Sequence, residues 1–91
     1  MEQMKNIERT LKALANRRRL EILRMLQKNK EMAVSDIAGA LKLSVKATSK
    51  HLTILFSVDI LEREQRRLKV HYRIVTSRAQ SSTVRAILSM L

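Results

Sequence analysis

Three observations predict a mainly α-helical domain with one β-hairpin near its end. Apolar residues recur at helical spacing between Gln3 and Phe56. From Arg67 to Ile74 the period falls to two. At the end of the helical region lies "LSVKATSKHLTIL", residues 43–55. One side of that stretch is apolar, and the other carries Lys46, Ala47, Ser49 and Lys50 with no acidic residue nearby.

The spacing of Ile7, Leu11 and Leu14 predicts a first helix over about Gln3 to Ala13. Asn16 is suited to cap a second, over Arg17 to Lys28, with Leu20, Leu23 and Leu26 as its apolar stripe. The polar run "QKNKE" ends it. Val34, Ile37, Ala38 and Leu41 predict a short third helix. Lys42 and Leu43 make a tight connection, and Ser44 caps a fourth helix running to about Phe56, with Thr48, Leu52 and Leu55 turned inward. A short helix, a tight turn and a capped helix together predict a helix-turn-helix. In "RLKVHYRIV", Leu68, Val70, Tyr72 and Ile74 alternate with Arg67, Lys69, His71 and Arg73, which predicts a half-buried strand with one cationic face. The preceding "ILERE" supplies its partner. Two-residue hairpin turns need a positive φ and favour Asn or Gly. Neither is present, so a longer, less regular loop is expected at Gln65 to Leu68. Val84, Ile87, Leu88 and Leu91 predict a last helix over about Ser77 to Met90. The order ααααββα is that of a winged helix-turn-helix, in which the fourth helix enters a major groove and the hairpin lies along the neighbouring backbone.

Composition agrees with that fold. Ninety-one residues make one small domain, read as spanning residues 1–91, and 45% of them are apolar. Nineteen basic residues against 8 acidic ones give a net charge of +11, an excess that attracts polyanions, nucleic acid foremost. No run of 18 apolar residues is present to span a bilayer. With no cysteine there is no disulfide, thiol nucleophile or thiolate metal site, and a cytoplasmic location is expected. His51 and His71 lack metal-ligand spacing, and no triad or carboxylate pair suggests an active site. No enzyme activity, metal or cofactor is therefore expected.

The candidate site is a duplex-DNA interface. Ser44, Val45, Lys46, Ala47 and Ser49 lie at the start of the fourth helix, the end that meets base edges. Lys donates to guanine O6 and N7, and Ala or Val meets a thymine methyl. Lys50 is better placed for phosphate, and His51 is a packing or hydrogen-bonding residue within reach of one. Three cations at "NRRRLEIL" oppose the helix dipole, so a phosphate at one or more of Arg17, Arg18 and Arg19 would offset a local cost, with an internal salt bridge from Arg19 as the rival reading. Arg66 and Arg67 occupy the wing tip, where a backbone contact is expected.

The segments "LKALANRRRLEILRML", "MAVSDIAGALKLSVKATSKHLTIL" and "VDILEREQRRLKVHYRI" resemble the ArsR/SmtB family of winged-helix repressors over about residues 7 to 75. The resemblance implies a homodimer joined through the first and last helices, bound to operator palindromes and in many members released by a metal. Ala33 and Ser35 stand where many metal-sensing members carry two cysteines, and "SRAQSSTVRAILSML" has none of the Asp and His ligands of a second site type. Neither metal site carries over, and any effector is left unassigned. Asp59 and Leu68 replace the glycines usual before the first wing strand and at the wing tip, and Arg17 replaces the proline usual after Asn16. The reading is thus a homodimeric DNA-binding repressor with no membrane partner. The alternatives are an architectural duplex binder with little sequence preference and a protein-interaction module.

Overall fold

The computed structural model describes residues 2–76 and 80–91. In these residues the chain forms α1 (Glu2–Leu14), α2 (Arg17–Asn29), β1 (Glu31–Ala33), α3 (Val34–Leu41), α4 (Val45–Ser57), β2 (Leu61–Arg66), β3 (Lys69–Ile74) and α5 (Ser82–Leu88). The winged helix-turn-helix is as the sequence predicts, with three departures.

The first departure is an extra strand. β1 pairs antiparallel with β3, so the sheet order is β1-β3-β2. Its register sets Glu31 opposite Arg73, Met32 opposite Tyr72 and Ala33 opposite His71. Three residues are too few to show a period, and they lie between the end of one helix and the start of another.

The second departure is the hairpin turn. β2 and β3 stay paired out to Arg66 and Lys69, leaving only Arg67 and Leu68 as the turn. The expected longer loop does not form. Arg67 takes the left-handed conformation, φ 55°, and the Gln65 side-chain amide donates to the Arg67 carbonyl at 2.9 Å. That local hydrogen bond offsets part of the cost of a Cβ at positive φ. The inward face of β3 also begins later than expected, because Leu68 is 98% exposed while Tyr72 is 4% exposed.

The third departure is the last helix. It begins after Ser81, whose side chain accepts from the Val84 amide at 3.1 Å. The part of the expected helix at residues 77–79 lies outside the described residues. Gln80 is 5% exposed and outside the helix; its amide donates to the carbonyls of Val75 and Ile60 and ties the approach to α5 to the wing base.

One buried cluster joins these elements. Ile22, Leu23 and Leu26 of α2, Ile37 of α3, Leu52 and Leu55 of α4, Leu61 of β2, Tyr72 of β3 and Val84 of α5 all belong to it. Leu14 is the α1 residue that reaches this core, whereas Ile7 and Leu11 remain 49% and 46% exposed.

Glycine usage is inverted relative to need. Lys30, Lys42, Asp59 and Arg67 all have positive φ, while the one glycine, Gly39, lies inside α3 without it. A Cβ built at Gly39 would meet nothing within 4 Å. Glycine inside a helix costs about 0.5–1 kcal/mol relative to alanine. Gly39→Ala is therefore expected to stabilise the fold by about that amount, raising the midpoint by a few degrees in a thermal melt.

Candidate nucleic-acid interface

The helix-turn-helix is built by two local devices. α3 stops at Lys42, whose φ of 57° lets the Leu43 amide donate back to the Ala38 carbonyl at 3.0 Å. α4 then starts under Ser44, whose hydroxyl accepts from the Ala47 amide at 3.0 Å. The turn between them is short because each end closes its own hydrogen bonds.

α4 is held by one face and free on the other. Thr48, Leu52 and Leu55 are each 0% exposed. Val45, Lys46 and Lys50 are exposed, while Ala47, Ser49 and His51 are half-buried. Lys46, Ser49 and Lys50 line one shallow depression together with Thr53 and Ile54. Among the described residues no carboxylate pairs with Lys46 or Lys50, so both cations are available to an outside anion. The buried Thr48 hydroxyl has no hydrogen-bond partner among the described residues. A buried unsatisfied hydroxyl is costly. Thr48→Val keeps the shape and removes the hydroxyl, so it is expected to raise stability to chemical denaturation by about 1 kcal/mol.

The arginines at the start of α2 divide into two kinds. Arg17 and Arg18 each lie 4.0 Å from the carboxylate of Glu21; the Arg17 side chain is 94% exposed, while Arg18 also donates to the Leu41 carbonyl at 3.5 Å. Arg19 turns inward, and among the described residues no carboxylate holds it; hydrogen bonds to neutral acceptors stand in place of the internal salt bridge offered as a rival reading. Its guanidinium donates to the carbonyls of Ala13 and Lys12 in the last turns of α1, and its NH1 lies 3.3 Å from His51 Nδ1. A cation at the carbonyl end of a helix is favourable. The charge that opposes the α2 dipole thus serves the α1 dipole. Burial, and then the positive charges of Arg19 and Arg18, hold the His51 pKa below the ordinary histidine value. The Arg19 contact requires a lone pair on Nδ1, which places the ring proton of neutral His51 on Nε2.

The wing carries a charge network that the linear pattern conceals. Arg66 donates to both carboxylate oxygens of Glu31 and to Glu64, at 3.0 Å for the last. Arg73 binds Glu62 at 2.8 Å and Glu64 at 3.3 Å. The hydrogen bond from Arg66 holds the Glu31 and Glu64 carboxyls below the usual carboxylate range. The face of β3 expected to be simply cationic is therefore largely balanced. Arg67 is exposed at the tip, and no described carboxylate reaches it. Arg63 stacks over the Phe56 ring at 3.9 Å, fixing the base of the wing to the end of α4.

The predicted residues fall in three places: Ser44, Val45, Lys46, Ala47, Ser49, Lys50 and His51 at the cap of α4 and along it, Arg66 and Arg67 on the wing, and Arg17 and Arg18 at the start of α2. His51 contacts Arg19 and so links α4 to α2. Sequence reasoning missed Glu31, Glu64 and the stack of Arg63 on Phe56, for which only the fold supplies the pairing. Ala33, where a metal-binding thiol would stand, is 2% exposed at the start of α3, and Ser35 is exposed. Among the described residues no three His, Asp or Glu side chains come together as a metal site. A groove of about 700 Å³ lies away from α4, against the end of α2, the end of β3 and α5.

Comparison with known proteins agrees with this architecture. The sequence model of the bacterial regulatory protein arsR family matches residues 16–63. The transcriptional activator HlyU of Vibrio cholerae is 36% identical over 81 residues, covering 89% of this chain and 69% of HlyU. The homodimeric winged helix-turn-helix DNA-binding domain from Mycobacterium bovis superposes with a TM-score of 0.81 at 30% identity, covering 98% of this chain and 77% of that one. The transcriptional repressor PagR of Bacillus anthracis superposes with a TM-score of 0.76 at 27% identity, covering 98% and 95%. The chain belongs to the ArsR family of bacterial regulatory proteins and is a DNA-binding transcriptional regulator.

Proposed function

We propose that the protein is an operator-binding repressor that acts as a homodimer in the cytoplasm, with α4 reading bases and the wing and the start of α2 holding phosphates. The observation that carries this is the bare, carboxylate-free face of α4, where Lys46, Ser49 and Lys50 stand clear of a helix fully buried on its other side. Phosphate contacts supply affinity and register, and base contacts choose the sequence.

Two observations support a dimer. On α1, Met4, Ile7 and Leu11 are 72%, 49% and 46% exposed, and at the chain end Met90 and Leu91 are 76% and 38% exposed. Ile7 also shares a depression with Ser81, Ser82 and Thr83, so α1 lies beside the start of α5. A second copy covers this apolar surface isologously, with α1 and α5 packed across a two-fold axis. Sedimentation at micromolar concentration is expected to give twice the chain mass; a monomer there would remove the basis for palindrome binding. No metal is assigned to the derepressing signal, because the residues at the thiol positions are Ala33 and Ser35.

The wing has its own test. Each phosphate contact contributes about 0.9 to the slope of log affinity against log salt. Arg67→Ala is expected to flatten that slope by about 2 units for two wings. Arg66 adds to this only by leaving Glu31 and Glu64, so Arg66→Ala has the smaller effect. A titration of a fixed duplex with salt checks both, and an unchanged slope in folded Arg67→Ala would place the wing away from the DNA. A duplex binder without sequence preference would show the same slopes and no preferred site.

A further inference from the structure

The outermost residue of the wing is apolar. Leu68 is 98% exposed and lies between Arg67 and Lys69. The fold has no use for a leucine here. The turn places its positive φ on Arg67, Gln65 braces the Arg67 carbonyl, and the inward face of β3 starts at Val70. The side chain is equally wet folded or unfolded, so its apolar surface contributes only when something outside the chain covers it. A protruding tip with a cation on each side is drawn to a polyanion. The duplex minor groove combines phosphate rims with a narrow interior of sugar walls and base edges, about 6 Å across.

We propose that Leu68 is an apolar wedge that enters the minor groove beside each half-site, with Arg67 and Lys69 on the bordering phosphates. This rests on the wing being a DNA contact. An inserted leucine must partly unstack a base step, which is easiest at TA and CA/TG steps. It must also share the groove floor with the exocyclic amine wherever a G·C pair is present. The wedge therefore gives the protein a sequence preference in the flanks, at positions where it makes no base-specific hydrogen bond.

The test measures binding of the full chain to duplexes with a common selected core. The flanks carry A·T pairs with a TA step, G·C pairs, or inosine·C pairs, which lack the minor-groove amine. Wild type is expected to bind the A·T flanks about fivefold or more tightly than the G·C flanks. Inosine·C flanks are expected to recover part of that difference. Leu68→Ser is expected to erase the preference, with an unchanged salt slope and an unchanged melting temperature. A flank preference that survives Leu68→Ser, or that wild type never shows, overturns the wedge. The salt slopes of Arg67→Ala and Lys69→Ala separate the two ways of failing. If both equal wild type, the wing is off the DNA and the underlying reading falls with the wedge. If they flatten while Leu68→Ser changes nothing, the wing binds phosphate and only the wedge is wrong.

Discussion

Replacing Lys46 with alanine is expected to weaken binding to the preferred duplex by about 1–3 kcal/mol per half-site, at least several-fold for each. The size follows from the position. Lys46 is in the first turn of α4, exposed, and beside the half-buried Ala47 and Ser49, whose small side chains let the helix approach the groove. Binding to random duplex is expected to fall much less, because a base-edge contact is lost only where the right base is present. The fold should be untouched, since the burial of α4 rests on Thr48, Leu52 and Leu55. Parallel titrations of wild type and variant against preferred and random duplexes check this. Equal losses on both would make Lys46 a phosphate contact and move base reading elsewhere on the helix.

The second large effect belongs to Arg19. Its guanidinium bridges the end of α1 and α4 through Lys12, Ala13 and His51. Arg19→Ala leaves those carbonyls and the imidazole without their donor. Hydrogen bonds from a charged donor contribute about 1.5–3 kcal/mol, so a loss of about 2–3 kcal/mol in unfolding free energy is expected after allowing for partial exposure. Denaturant unfolding measures it. His51 adds a pH dependence. Its folded pKa is depressed, chiefly by burial, so below about pH 6.5 the unfolded chain takes up a proton more readily than the folded one. Stability from this group is full above that pH and is lost as the pH falls toward the folded value. His51→Gln is expected to remove this component. Arg19→Ala removes only the part due to its charge, because burial is the larger cause. His51→Gln losing stability below pH 7 as steeply as wild type would contradict the depressed His51 pKa.

The first four helices were legible because their signals are local. Val34, Ile37, Ala38 and Leu41 fix the face and the length of α3, and the caps at Asn16 and Ser44 mark the starts of α2 and α4. The wing was legible in its period but not in its turn. Arg67 and Asp59 adopt the left-handed conformation without being glycine or asparagine, and the Gln65 brace that supports Arg67 is a contact rather than a composition. β1 was hidden because its strand character comes from pairing with β3, forty residues on, rather than from its own three residues. The same non-local pairing hid the fate of Arg66. A linear reading places it free at a cationic tip, but β1 brings Glu31 against it across the sheet. For Arg19 the expected alternative to a phosphate was an internal salt bridge, but its acceptors are carbonyls at the end of α1 and the His51 imidazole, and no charge pattern reveals those.

In the proposed function, the bare face of α4, doubled by a two-fold axis, selects a sequence. Selection of bound sequences from a pool of random duplexes tests it most directly. The expected result is a palindromic consensus whose half-site centres lie about one helical turn apart, or a multiple of it, with the palindrome weakened in the Lys46→Ala pool. A flat profile from a folded, duplex-binding protein would contradict it.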